Sequence, residues 1–435
     1  MIRDRLKRLA AEALRIAEEE RDSSRVRVYT APWILGAGDP IRDGAIALDH
    51  EGRVVAAGPG KDLLHSFEWA QRADLDGILL PGLINAHARL EIGEVDPLPE
   101  GLGLTRKLRA IREMLRADER LDPDSREAKV RAAVRQCVAS GTAAVGDVTD
   151  SLRAVPSMGR EGLYGVVFHE VGEFSKRRAA KALAAAAVEK ARIVPWPEGV
   201  RYRIAPHSLY STAESALKDL FSRAVDKGVI TAIRLAETEE DWDLLEGDIG
   251  NARSLVEAAA ALLDDLRPLE TDPLSYVEQL GGLNEQVMLV HMNHATRDMV
   301  ERVGAANAPL VLCPRAALHD TGQLPPLPAF LEEGCRIALG TDSSSADQSV
   351  LREAAELHAA FPEIPSLVLL NAATAGGADA LSLDSMGSFQ PGTTPGVLHA
   401  DLAGQSTEDP SGWLLRAGNP DLAWLARPAP PHQAA

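Results

Sequence analysis

Eight short apolar runs, each followed closely by a polar or charged side chain, divide the chain between residues 78 and 342. They cover residues 78–80, 143–148, 164–170, 202–205, 230–233, 287–291, 310–313 and 335–340. Longer stretches with helical periodicity lie between or after them, at 127–139, 176–192 and 351–361. Eight β/α repeats over about 300 residues match the size of a TIM barrel. The reactive groups of such a barrel sit just past the C-terminal ends of its strands. His87, Arg89, Asp147, His169, Glu170, His207, Arg234, Glu237, His291, Arg315 and Asp342 all fall at or near those places. One polar residue after a strand means little, but this many converge on one mouth. The fold expected is α/β, a distorted (β/α)8 barrel over residues 81–381.

The segments flanking the barrel read differently. Strand-like runs at 25–30, 44–48 and 53–57 are broken by turns, the last two forming a hairpin around His50-Glu51-Gly52. After Leu381 the pattern is again irregular, and residues 398–402 suggest a strand returning to the N-terminal unit. A small composite β-sandwich from residues 25–80 and 382–426 is therefore expected. Residues 1–24 read as an amphipathic helix, packed on the surface or serving a homo-oligomer contact. Residues 427–435 are Pro-Ala-rich and read as a flexible tail.

Composition removes several function classes. Lys and Arg total 46 against 64 Asp and Glu, a net charge of −18, which argues against nucleic acid and anionic membranes as partners. The charged N-terminus is no signal peptide, and no stretch is apolar for long enough to span a membrane. Cys137, Cys313 and Cys335 are odd in number and lack C-x-x-C spacing, so the expected location is a reducing cytoplasm without disulfides. With only 4% aromatic residues, the core must be mostly aliphatic.

The sharpest local signal is Pro81-Gly82-Leu83-Ile84-Asn85-Ala86-His87-Ala88-Arg89. Residues two apart in an extended segment point to the same side, so His87 and Arg89 aim at one spot. Two histidines there would suit zinc, whereas a guanidinium is a fixed cation without a lone pair to offer. The order continues with Ala205-Pro206-His207-Ser208, Arg234-Leu235-Ala236-Glu237-Thr238, Leu289-Val290-His291, Cys313-Pro314-Arg315 and Gly340-Thr341-Asp342-Ser343.

In that order and spacing the chain resembles the amidohydrolase superfamily, over residues 25–402. It looks most like the aminofutalosine and S-adenosylhomocysteine/methylthioadenosine deaminases. The resemblance implies hydrolysis of non-peptide C–N bonds, a purine-nucleoside-like small-molecule substrate and one divalent metal, usually zinc. His87 and Asp342 match two of the metal ligands. Arg89 and Arg234 stand where the other two, both His, would be. Glu237 matches the proton-shuttling Glu and His291 the His that polarises the attacking water, so Glu237, His291 and Asp342 are the catalytic candidates. His207 and Arg315 are the candidates for substrate contact. Ala316-Ala317 replaces residues that are often polar in relatives.

Two protein ligands fall below the three usual for a catalytic zinc. The expected cofactor is therefore none, or a weakly bound divalent metal. Two guanidinium groups beside one carboxylate carry the same +1 as a dication beside one carboxylate. Arg89 and Arg234 are thus expected to replace the metal and to pair with Asp342 and Glu237. Three functional alternatives remain: a deaminase-like hydrolase, a metal-free, catalytically inactive relative that binds a small molecule or serves as a structural partner, and a metal-free enzyme using Glu237, His291 and the two arginines.

Overall fold

The architecture was analysed in a computed structural model. It describes residues 26–430 except 37, 93–99, 102–106, 108–109, 111–112, 115, 118–119, 172–179, 210, 240–241, 244–270, 344–346 and 418–419. The helix expected over 1–24 lies outside the described residues, as does most of the tail; Pro428, at the tail's start, is buried.

Strands β1 (Arg27–Ile34), β2 (Ile41–Leu48), β3 (Val54–Pro59), β4 (Gln71–Asp74) and β5 (Ile78–Pro81) come first. The barrel strands follow: β6 (Leu83–Ala88), β7 (Thr142–Thr149), β8 (Tyr164–Val171), β9 (Val200–Pro206), β10 (Thr231–Leu235), β11 (Val287–His291), β12 (Pro309–Leu312) and β13 (Arg336–Leu339). Near the C-terminus lie β14 (Val397–Ala400) and β15 (Leu422–Ala426).

Both ends of the chain meet in one seven-stranded sheet of order β15-β14-β5-β1-β2-β3, with β4 beside β1. The hairpin β2–β3 is antiparallel, and β14 pairs antiparallel with β5, placing Leu398 opposite Leu80. Alternation along β1 and β2 separates two apolar layers. Tyr29, Ala31, Ile46 and Leu48 pack on one side, and Val28, Ala45 and Ala47 on the other.

The run at 78–80, counted among the eight barrel runs although it precedes the 81–381 bound, belongs to this sheet. Every residue of β5 and β6 is buried, so periodicity could not separate them. Pro81 interrupts the run, because proline has no N–H to donate to a ladder. The barrel opens with β6 instead.

The barrel strands form two parallel half-sheets, β6-β7-β8-β9 and β10-β11-β12-β13. Single parallel bridges, Ala88 to Asp342 and Ser208 to Arg234, join them at both seams. β6, β7, β11 and β12 are buried along their whole length, as expected of strands covered on both faces. Val166 and Phe168 of β8 join Ala144, Val290 and Val311 in one cluster, while Val167, between them, packs with Val145 and the helix Pro123–Ala139. That helix begins where it does because Asp122 caps the Ser125 N–H and Pro123 occupies its first turn. The three cysteines are free and buried. Among the described residues, no helix is long and apolar enough to cross a membrane.

Candidate active site at the barrel mouth

The chain is bent where the strands end. Ala236, His291, Met292 and Asp342 have φ of 46°, 77°, 53° and 47°. This left-handed region is costly for residues with a Cβ, and such strain gathers at functional sites. These bends lie at the ends of β10, β11 and β13, where Glu237, His291 and Asp342 stand. The His87 carbonyl accepts from the Thr341 and Asp342 N–H groups at 2.8 and 3.0 Å, tying β6 to the end of β13.

His87, His291 and Asp342 come together there, with donor atoms of all three within 4.8 Å of one another. His87 Nε2 lies 3.6 Å from Asp342 Oδ1, and the two imidazoles meet edge to face at 5.8 Å between centroids. All three residues are buried, and neither imidazole nor Asp342 Oδ1 has a hydrogen-bond partner among the described residues. His291 Nε2 lies 3.6 Å from Glu237 Oε2. Burial pushes His291 down to about 4 despite the opposing pull of Glu237 and Asp342, so its ring is neutral at physiological pH.

One residue at this centre had no part in the sequence reading. Lys107 is buried and places its Nζ 2.9 Å from Glu237 Oε1, 2.5 Å from Asp320 Oδ2 and 3.2 Å from Asp342 Oδ2. Burial alone would raise Glu237 and Asp342. The Lys107 ammonium is the strongest opposing influence, and together with His291 and Arg234 at Glu237, and with His87 and His291 at Asp342, it holds both well below the usual carboxylate range. Conversely, burial would lower Lys107, but Glu237, Asp342 and Asp320 hold it charged.

Arg89 and Arg234 are buried to the same degree, each side chain 9% exposed. They do not pair with Asp342 and Glu237 as expected. Both donate to Glu170 on β8: Arg89 Nη2 to Oε2, and Arg234 Nη2 to Oε1 at 3.3 Å. The carboxylate of β8 therefore lies between Arg89, just past β6, and Arg234 of β10, and Lys107 takes the two acids assigned to them. Glu91 lies 3.8 Å from Arg89 and accepts from Thr149 Oγ1 and the Ser151 N–H. Burial would raise Glu170, but Arg89, His207 and Arg234 bring it down to about 2.

His207, after β9, is buried with Nδ1 2.8 Å from Ser211 Oγ, while its carbonyl accepts from Arg234. Arg315 forms a forked pair with Asp347 at 2.9 and 3.3 Å, and its backbone N–H donates to Glu353. Ala316 and Ala317 are buried in the same helix. His169 is held by Tyr202 Oη and the Asp150 carbonyl, as a hydrogen-bonding residue rather than a ligand. Asp147 accepts from the Leu90 N–H, and burial pushes it up to about 7.

The family's four-ligand metal site does not fit these residues. Arg89 and Arg234, which the resemblance aligns with two of the ligands, are engaged with Glu170, and the ammonium of Lys107 already stands on Asp342. Glu170 and Lys107 are the two determinants that strand-end reasoning underused. Glu170 was visible beside His169 but had no assigned partner. Lys107 sits in a charged stretch of sequence, residues 106–120, that carries no motif.

The comparisons agree with this architecture. Residues 78–406 match the model of the Amidohydrolase family. The chain belongs to that family. Among curated relatives, aminodeoxyfutalosine deaminase of Deinococcus radiodurans is 26% identical over 343 residues, covering 74% of this chain and 78% of the relative. Among solved structures, Helicobacter pylori aminofutalosine deaminase in complex with methylthio-coformycin superposes with a TM-score of 0.79 at 18% identity, covering 93% of this chain and 100% of that one. An adenosine deaminase of Xanthomonas campestris with bound zinc gives 0.71 at 20%, covering 94% of each chain. At these identities the solved structures establish the fold.

Proposed function

We propose that this chain is a deaminase-type hydrolase of non-peptide C–N bonds, acting on a purine-nucleoside-like small molecule. The observation that carries the reading is the buried pair Glu237–His291, 3.6 Å apart beside Asp342 at the ends of adjacent strands. Family membership and the deaminase relatives support the reaction class. In hydrolytic deamination water adds to a ring carbon and ammonia leaves, so a proton must travel from the water to the ring. Neutral His291 offers an acceptor to the water, and Glu237 is placed to carry the proton. His207, buried at the next strand end, is a candidate substrate contact.

A specific observation favours a second reading, a non-catalytic binder. Lys107 holds Glu237 and Asp342 ionised well below the usual range, which makes both weak bases. The chain dialysed against chelator is to be assayed for ammonia release from adenosine, 5′-deoxyadenosine and methylthioadenosine. Titration with methylthio-coformycin is to be run alongside. Turnover that survives chelation is the expected result. Binding without turnover selects the second reading, and neither binding nor turnover sinks both.

A further inference from the structure

We propose that Lys107 is a built-in replacement for the divalent cation, and that it masks a latent three-ligand zinc site formed by His87, His291 and Asp342. The proposal stands on geometry alone and holds under either reading of the reaction.

An ammonium has three N–H donors and no acceptor. Three carboxylates, Glu237, Asp320 and Asp342, each present an oxygen to Nζ, at 2.9, 2.5 and 3.2 Å. The lysine is 3% exposed, so this is a buried, internally satisfied cation and not a surface pair. Burying a lysine is tolerated only with such pairing.

The second observation lies on the other side of Asp342. Its Oδ2 faces Lys107, while Oδ1 faces His87 and is without a hydrogen-bond partner among the described residues. Both nitrogens of His87 and both of His291 are likewise without one, although each residue is only 1% exposed. Buried polar atoms left in this state are uncommon and call for an explanation. Their donor atoms lie within 4.8 Å of one another, and two imidazoles with a carboxylate are a zinc-type donor set. A dication bound there would face the Lys107 ammonium across one carboxylate, and like charges at that range repel strongly in a buried site. The lysine thus supplies a fixed positive charge and excludes the metal from donors that remain in place.

The test uses the full chain, with zinc as the probe. Elemental analysis and calorimetric titration of the parent should give well under one equivalent of bound zinc. Lys107→Met should bind about one equivalent, about 100-fold more tightly than the parent, with magnesium giving no such gain. Removing the cation leaves three buried carboxylates, so Lys107→Met alone risks misfolding. Lys107→Met with Asp320→Asn keeps the buried net charge unchanged and spares the three ligands. Adding His87→Ala and His291→Ala to that variant should abolish the zinc binding. A parent chain that holds one zinc with Lys107 intact overturns the proposal. So does a folded variant that takes up zinc no better than the parent. Should neither variant fold, one equivalent of zinc in the parent still overturns the proposal, and its absence supports the exclusion of the metal.

Discussion

Glu170→Gln is expected to destabilise the chain by about 3–5 kcal/mol, the usual cost of removing one partner from a buried ion pair. Glu170 stands between Arg89 and Arg234 with one oxygen turned to each, and the arginine side chains are 9% exposed. The glutamine keeps the shape but leaves two guanidinium groups facing each other without their shared anion. The cause is charge, so adding Arg89→Met and Arg234→Met should recover most of the loss, since replacing a buried triad by apolar groups is often neutral. Urea denaturation of the parent, the single variant and the triple variant measures this. A loss below about 1 kcal/mol for Glu170→Gln would place the interaction in the range of solvated surface pairs and refute the buried-triad account.

The same carboxylate gives the effect a pH signature. Its folded value is about 2, below the ordinary 4.5 that it regains on unfolding. A depressed carboxyl stabilises the fold fully above about 4.5, and that contribution is lost as pH falls toward 2. The gap between parent and Glu170→Gln should therefore be constant from neutral pH to about 5 and narrow below it. Glu237 and Asp342 are shifted in the same direction by Lys107. They add to the acid sensitivity of the parent but cancel in the comparison.

The barrel was legible because burial on both faces makes each strand a near-continuous apolar run, and the helices between them restore a 3.6-residue period. The one misplaced run shows the limit of that signal. Both strands of residues 78–88 are buried throughout, and only Pro81-Gly82 marks where the chain leaves one sheet for the other. At the site, spacing correctly brought His87, His291 and Asp342 to one mouth, because strand ends are fixed by the barrel. It misassigned the partners of Arg89 and Arg234. Which carboxylate a guanidinium meets depends on strand adjacency across the barrel, and β8 supplies Glu170 from between them. Lys107 left no mark in the pattern at all. It reaches the centre from outside the eight strands, and its three partners are 130, 213 and 235 residues away in sequence.

Gly340→Ala should leave a folded barrel with a damaged site. Gly340 follows β13 at the seam with β6, and a Cβ there would lie 2.7 Å from His87 Cβ, 2.8 Å from its carbonyl oxygen and 2.9 Å from its nitrogen. Those distances are shorter than real contacts, and two of the three atoms are backbone, so β6 and the end of β13 must move apart. The movement is focused where it matters. The His87 carbonyl holds the Thr341 and Asp342 N–H groups, and His87 Nε2 stands 3.6 Å from Asp342 Oδ1. Overpacking of this kind costs about 1–3 kcal/mol. A displacement of about 1 Å at reacting groups costs about 100-fold in rate, and a similar fall is expected in affinity for methylthio-coformycin. Gly281→Ala provides the contrast. It has φ of 76° and open space around the added methyl, so it should cost about 1 kcal/mol of backbone strain and leave ligand binding untouched. Titration of both variants, with denaturation curves alongside, separates a seam that sets site geometry from one that only holds the barrel closed. If Gly340→Ala binds as the parent does, the β13–β6 seam is not what aligns His87 with Asp342.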